Sequence, residues 1–192
     1  EIGRHTVTQI GAATNLSLSY SGGVITASFT GSAGAAGYTV DLTRNDVALA
    51  LTQTGATTYT TALALADADR LALSVVAKGD GISTLDANLS STTRTVTQLS
   101  APDNLTFASD ALGKAVFGFS RVAGASSYEV IYGTGGSTST LFVSQSASGS
   151  TVTHVATFDA DTVTSFKVKA IGSDFTLTSP DSATMTVVVL SV

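Results

Sequence analysis

The chain has no cysteine, no tryptophan, two histidines and a charged fraction of only 12% over 192 residues. Without cysteine there can be no disulfide, no thiol nucleophile and no Cys-ligated zinc. His5 and His154 are too few for a multi-histidine metal site within one chain. The charged fraction is about half the usual ~25%, so solubility rests on Ser, Thr and Gly. A lightly charged surface is also easier to bury against a neighbour, because fewer ions must be desolvated. Nine basic residues face fourteen acidic ones, for a net charge of −5, and the basic ones are scattered. Phosphate backbones demand a density of Lys and Arg, so nucleic acid is excluded as an expected partner. No apolar run reaches the ~18 residues of a membrane helix, so no membrane insertion is expected. The chain opens on Glu1 with no signal-peptide pattern, as a processed product, a fragment or the ordered part of something longer would.

What is present is a repeat. Ala33-Gly-Ala-Ala-Gly-Tyr-Thr-Val40 returns ninety residues later as Ala123-Gly-Ala-Ser-Ser-Tyr-Glu-Val130. Phe29 precedes Tyr38 by nine residues, and Phe119 precedes Tyr128 by nine. The length suits one or two domains, and the repeat decides for two of roughly 90 residues, each large enough for a core. We place an N-terminal segment at residues 1–12, a first domain at 13–98 and a second at 99–192.

Alternation of apolar and polar residues marks half-buried strands at Asn15–Tyr20, Ile25–Phe29 and Tyr38–Leu42. Arg44-Asn-Asp46 is a turn signal, and Val47–Thr52 and Thr57–Leu63 read as two further strands. Residues 62–77 are rich in Ala and Leu, which alone favours a helix. Their counterparts in the second copy include Phe166, Val168 and Ala170 among β-branched residues, which is strand composition. Leu71–Lys78 is therefore expected as a strand with Leu71, Leu73, Val75 and Ala77 facing inward, and Leu89–Thr97 as the strand that closes the domain. The second domain repeats the order: Pro102–Phe107, Ala115–Phe119, Tyr128–Tyr132, a flexible turn over Gly133–Ser139, then Thr140–Ser144, Thr151–Thr157, Phe166–Ile171 and Ala183–Leu190. Seven short strands at this spacing make a two-sheet antiparallel sandwich. The expected fold is all-β: two tandem seven-stranded antiparallel β-sandwiches.

These features together resemble fibronectin type III domains over about 180 of the 192 residues. Each copy opens on Asn-Leu (Asn15-Leu16, Asn104-Leu105), carries an aromatic on its second strand and continues through a small-residue turn to Tyr-x-Val. Each has a large apolar residue, Leu65 or Phe158, ahead of a strand ending in Val-x-Ala. Ser179-Pro-Asp-Ser182 before the last strand is also typical of the family. Two departures stand out: Phe29 and Phe119 replace the family's usual Trp, and Leu71 and Thr164 replace its corner tyrosine. A Phe ring still buries much of the area a Trp would. The composition is nearer to bacterial or phage members than to vertebrate ones.

Candidate chemistry is sparse. Asp67 with Asp69, and Asp159 with Asp161, lie in corresponding turns and could offer oxygens to Ca²⁺. Asp also favours turns simply by bonding its own backbone. Lys78-Gly-Asp80 lies in the loop that carries an Arg-Gly-Asp integrin site in some animal members of the resembled family, but Gly-Asp-Gly is ordinary turn chemistry. His154 near Asp159 suggests a triad only if a serine is placed for it, and no Gly-x-Ser-x-Gly elbow exists. Asn15, Asn88 and Asn104 head glycosylation sequons, of the kind that chance supplies in a Ser/Thr-rich chain. Gly133-Thr-Gly-Gly136 lacks the following Lys and helix of a phosphate loop. No cofactor and no catalysis are expected.

The expected role is a non-catalytic structural or interaction module, a spacer or decoration on the exterior of a virion or cell-surface assembly. One alternative is an accessory array of a secreted polysaccharide-degrading enzyme. Another is an adhesin binding sugar or protein through its loops. Carbohydrate would call for exposed aromatics, and Tyr20 and Tyr59 are the tyrosines whose facing the sequence leaves open. The expected partners are neighbouring subunits or upstream domains of the same array. That expectation falls on the N-terminal segment. Thr6-Val-Thr-Gln-Ile10 recurs 89 residues on as Thr95-Val-Thr-Gln-Leu99, and more loosely at Thr186–Ser191. The phrase reads as the final strand and exit of a unit, with Arg4 echoing Arg94. Thr6, Val7, Thr8, Gln9 and Ile10 are accordingly expected to pair as a strand with an upstream domain or a neighbouring subunit.

Overall fold

A computed structural model describes residues 6–145 and 149–188. Arg4, His5, the end of the last expected strand and the end of the third copy of the terminal phrase lie outside these residues. The chain divides into two compact units, Glu1–Thr97 and Gln98–Val192.

The first unit contains β1 (Thr8–Gln9), β2 (Thr14–Ser21), β3 (Val24–Thr30), β4 (Gly37–Arg44), β5 (Val47–Ala48), β6 (Thr52–Gly55), β7 (Thr58–Ala62), β8 (Arg70–Lys78), β9 (Thr84–Leu85) and β10 (Ser90–Thr95). One sheet has the order β2-β3-β7-β6 and the other β10-β8-β4-β5, with antiparallel pairing within each. The Ala/Leu-rich stretch is a strand, as the repeat required. Leu71, Leu73, Val75 and Ala77 are wholly buried on one face of β8. One expected strand divides: Val47–Thr52 is not continuous. Val47–Ala48 pairs with β4, and the chain then crosses to begin β6 in the opposite sheet.

The second unit follows with β11 (Thr97–Gln98), β12 (Thr106–Ser109), β13 (Lys114–Ser120), β14 (Ser127–Thr134), β15 (Ser137–Ser144), β16 (Thr151–Asp159), a 3-10 turn at Ala160–Thr162, β17 (Ser165–Ile171), β18 (Thr176–Leu177) and β19 (Met185–Thr186). Its sheets are β12-β13-β16 and β15-β14-β17-β19. The expected flexible turn at Gly133–Ser139 is a tight hairpin instead. Only Gly135 and Gly136 lie outside the strands, with φ of 54° and 99°, and the ladder runs unbroken from Thr134↔Ser137 to Ser127↔Ser144. Positive φ at both central residues is the type I′ turn, whose twist matches the flanking strands.

The repeated phrase has the same structural cause in both units. The Phe29 and Tyr38 rings meet edge to face at 4.9 Å and 63°, and those of Phe119 and Tyr128 at 4.8 Å and 60°. Each tyrosine hydroxyl accepts a backbone N–H six residues earlier, from Ser32 at 2.9 Å and from Val122 at 2.8 Å. The ring fills the core while the hydroxyl satisfies the small-residue turn. The opening Asn is explained likewise. Asn15 and Asn104 have φ of 51° and 49°, which Asn tolerates better than most residues. Their amides donate to Thr30 Oγ1 and Ser120 Oγ, at the far end of the next strand.

The Ser179–Ser182 stretch stands in for ladder. Ser179 Oγ accepts the Ala170 N–H and Ser182 Oγ the Val168 N–H, each at 2.9 Å. The backbone N–H groups of the same two serines donate to the carbonyls of the same two β17 residues. Asp181 between them pairs with Lys167 and Lys169.

Candidate functional site

The four calcium candidates do not form two equivalent pairs. Asp69 is buried, at 4% exposure, and accepts hydrogen bonds from Ala66 N at 2.7 Å, Asn45 Nδ2 at 2.9 Å and Arg44 Nη2 at 2.8 Å. Burial pushes its carboxyl up, but the bonds from Arg44, Ala66 and Asn45, with the Arg44 charge, outweigh this and hold it below the ordinary range. Asn45 Oδ1 accepts the Arg70 N–H at 2.9 Å. Arg44, Asn45 and Asp69 thus latch the β4–β5 turn to the turn that enters β8. Asp67, two residues away, is exposed.

In the second unit the corresponding latch is uncharged: Thr164 donates both its N–H and its hydroxyl to the Gly133 carbonyl. Asp159 instead binds Lys114 Nζ at 2.7 Å across the β13–β16 pair, and Asp159 raises the Lys114 pKa by that bond. Asp159 and the exposed Asp161 both line an open surface depression with Ser109, Leu112 and Gly113. Among the described residues no three His, Asp or Glu side chains converge on one point as metal ligands would.

The Lys78-Gly-Asp80 loop bonds its exposed aspartate to its own backbone. Asp80 Oδ1 accepts N–H groups from Ile82 at 2.9 Å, Ser83 at 2.8 Å and Thr84 at 2.7 Å, and Ser83 Oγ donates to Oδ2. These bonds, led by the Ser83 hydroxyl, hold its pKa well below the ordinary carboxyl value. Its oxygens are thus engaged in the turn's own hydrogen bonds, the ordinary turn chemistry of Gly-Asp-Gly. Asp86 closes the same loop through Lys78 Nζ at 2.6 Å and Gly79 N at 3.0 Å, and the Lys78 bond leads in lowering its pKa.

This loop is what holds the N-terminal segment. Thr8 N donates to Ser83 O at 3.1 Å and Ile10 N to Leu85 O at 3.2 Å, pairing β1 in parallel with β9. Gln9 Nε2 adds a bond to Asp86 O at 3.0 Å. The strand pairing of Thr8 and Gln9 therefore lies inside their own unit. The second copy of the phrase behaves alike: Leu99 N donates to Leu177 O at 3.1 Å. The phrase thus straddles a boundary: in its second copy Thr95 ends the last strand of the first unit, whereas Leu99 is bonded into the second. Val96 is then bonded within the first unit: its N–H donates to Asp69 O and its carbonyl accepts from Ala68 N. Val96 is 1% exposed, whereas Val7 at the same place in the first copy is 45% exposed.

His154 lies on β16 opposite Phe117, on the strand face that carries the buried Val152 and Ala156, which is a packing position. Tyr59 stacks on Phe29 at 6.3 Å, and both Tyr20 and Tyr59 are half-buried. Of five tyrosines and eight phenylalanines, one ring is exposed: Phe142 on β15, at 70%. Sequence reasoning passed over it. The available signal was Leu141-Phe-Val143 in a strand, where three consecutive large apolar residues cannot all face one core.

No helix among the described residues is long and apolar enough to cross a membrane. No protein-family model matches the chain, and no curated protein does. Solved structures similar to it include the FN1–FN3 domains of chicken CNTN1, at 11% identity and TM-score 0.47, covering 95% of this chain and 68% of that one. Another is a two-domain fibronectin type III segment of chicken tenascin, at 13% identity and TM-score 0.38, covering 92% of this chain and 99% of that one. The strand order and sheet pairing make each unit a two-sheet antiparallel β-sandwich.

Proposed function

We propose that this chain is a non-catalytic structural and interaction module, a spacer or decoration on the exterior of a virion or cell-surface assembly. The observation that carries the reading is how its carboxylates are used. Asp69, Asp80, Asp86, Asp159 and Asp181 each tie a turn or strand of their own unit. Such groups serve the scaffold, and general acid–base work needs them free to reach a substrate. The partners of such a module are neighbouring subunits or upstream domains of the same array. Val7 is the residue an upstream domain would cover, since Val96 at the corresponding place is buried.

The test is surface labelling of intact particles or cells of the source with antibodies raised against the chain. Labelling without permeabilisation is expected, and signal only after lysis overturns the reading. Retention on insoluble polysaccharide would instead favour the accessory role beside a sugar-degrading enzyme.

A further inference from the structure

We propose that the free edge of β15 is a self-association surface, on which a second copy of this chain pairs antiparallel with the first. β15 is the outer strand of its sheet, and its eight residues, Ser-Thr-Ser-Thr-Leu-Phe-Val-Ser, carry no charge, proline, glycine or register break. Exposed edges are usually guarded by brevity, charge, proline or a bulge. The other outer strands among the described residues have such guards. β5 and β19 span two residues each, β12 spans four, and β10 carries Arg94. The β2–β3, β6–β7 and β13–β16 pairings each contain a register shift. β15 has none of these guards, and it bears the one exposed aromatic ring, Phe142.

The hydrogen-bonding register fixes which groups are on offer. Gly133 turns its carbonyl toward Thr164 at 2.9 Å, on the β17 side. Gly133 and its cross-strand partner Thr138 are therefore a non-hydrogen-bonded pair, and alternation assigns Thr138, Thr140, Phe142 and Ser144 outward-pointing N–H and C=O groups. A two-fold axis at Leu141 sets Thr140 opposite the other copy's Phe142, and Thr138 opposite its Ser144. Each set of outward groups then meets its complement, giving about eight backbone bonds. The two Phe142 rings become diagonal neighbours on one face, within reach of each other. A neutral strand favours its own copy because no like charges are brought together. It also offers a foreign partner no charge by which to be selected.

An eight-residue edge lies at the small end of specific interfaces, which begin at about 1,200 Å² in total, so the dimer is weak and concentration-dependent. The inference rests on the interaction role proposed above for the kind of surface only. Its failure leaves the display of the chain untouched, and failure of surface labelling leaves the dimer untouched.

The experiment is sedimentation equilibrium of the chain from about 10 to about 500 µM, with Thr140→Pro as the principal variant. The Thr140 N–H points away from β14, so proline there removes a donor only from the intermolecular ladder. Phe142→Ser is the second variant and leaves the backbone unchanged. Reversible dimerisation is expected for the unmodified chain, weakened about tenfold or more by either variant with unchanged circular dichroism. A monomer throughout the range, or a dimer insensitive to both substitutions, overturns the proposal.

Discussion

Gly79 and Gly172 occupy the same place in the two units, just after the central strands β8 and β17, and neither has backbone in the left-handed region. They are glycines for lack of room. A Cβ at Gly79 would sit 2.4 Å from Thr84 O and 2.6 Å from Thr84 C, and one at Gly172 would sit 2.0 Å from Thr176 O and 2.6 Å from Thr176 C. Both obstacles are backbone, so relief requires the β9 or β18 segment to move by about 1 Å. That segment anchors the end of the terminal phrase, through Ile10 N to Leu85 O in the first unit and Leu99 N to Leu177 O in the second. Gly172→Ala should therefore cost ~1–3 kcal/mol for overpacking, and ~1 kcal/mol more for each anchoring bond lost. A fraction of this is offset by the ~0.4–1 kcal/mol that alanine contributes by restricting the unfolded chain.

Gly37→Ala is the control: that glycine lies in β4 with nothing within 4 Å of its Cβ position, and its cost should be near zero. Urea unfolding followed by circular dichroism and tyrosine fluorescence measures the stability, and amide exchange at Leu99 reports the anchor. The two units must be fitted as separate transitions where they separate. Gly172→Ala within ~0.5 kcal/mol of the parent, with Leu99 still protected, would refute the steric argument.

Phe119→Ala should cost ~3–5 kcal/mol, since the ring is wholly buried against Tyr128; a loss under ~1 kcal/mol would remove Phe119 from the core. Tyr128→Phe leaves the Val122 N–H without its acceptor and should cost ~1–3 kcal/mol, more than Tyr38→Phe at the half-buried counterpart; equal losses would count against burial as the cause. Asp69, Asp80 and Asp86 have lowered pKa values in the first unit, whereas Asp181 alone does among the described residues of the second, chiefly through its bond from Lys167. Their contribution is present above the ordinary carboxyl value of about 3.8 and is lost below it, as pH falls through their lowered folded values, so thermal melts from about pH 6 to about pH 2 should show the first unit weakening more, and equal weakening would refute this.

The sandwich was legible because each repeated element answers a physical need that recurs. The Phe–Tyr pair fills the core and completes a turn, the opening Asn takes a positive φ, and alternation on β8 meets one buried face. The elements read less well are those whose partner is remote in sequence. Nothing in Asp69 alone announces Arg44 as its partner, so the sequence leaves it open as a calcium candidate beside the turn reading. The terminal phrase gave its repeat but not its breakpoint. Whether Thr-Val-Thr-Gln closes one unit or opens the next depends on the Asp69 carbonyl and on β9 and β18, none of which is adjacent to it. The turn expected over Gly133–Ser139 is longer than the Gly135–Gly136 hairpin because Thr and Ser flank the two glycines, and both residue types suit turns as well as strands.

The two units diverge after the turns that follow β4 and β14, although the turns are of one kind. Asn45 and Asp46 have φ of 50° and 66°, the same type I′ pattern as Gly135–Gly136. The segments beyond these turns differ in composition. Ala48-Leu-Ala-Leu51 has low strand preference, leaves β4 after two paired residues and half-buries Leu49 and Leu51 as the chain crosses to the other sheet. Thr138-Ser-Thr-Leu-Phe-Val143 is β-branched and aromatic, and it stays on β14 for the full eight residues. With so few charges in the chain, charge cannot guard both edges. The first unit shortens its edge by crossing sheets, while the second keeps a full-length neutral edge and places its only exposed ring there. An edge of that kind is stabilised by being covered, and the strand that matches its neutrality and length is its own.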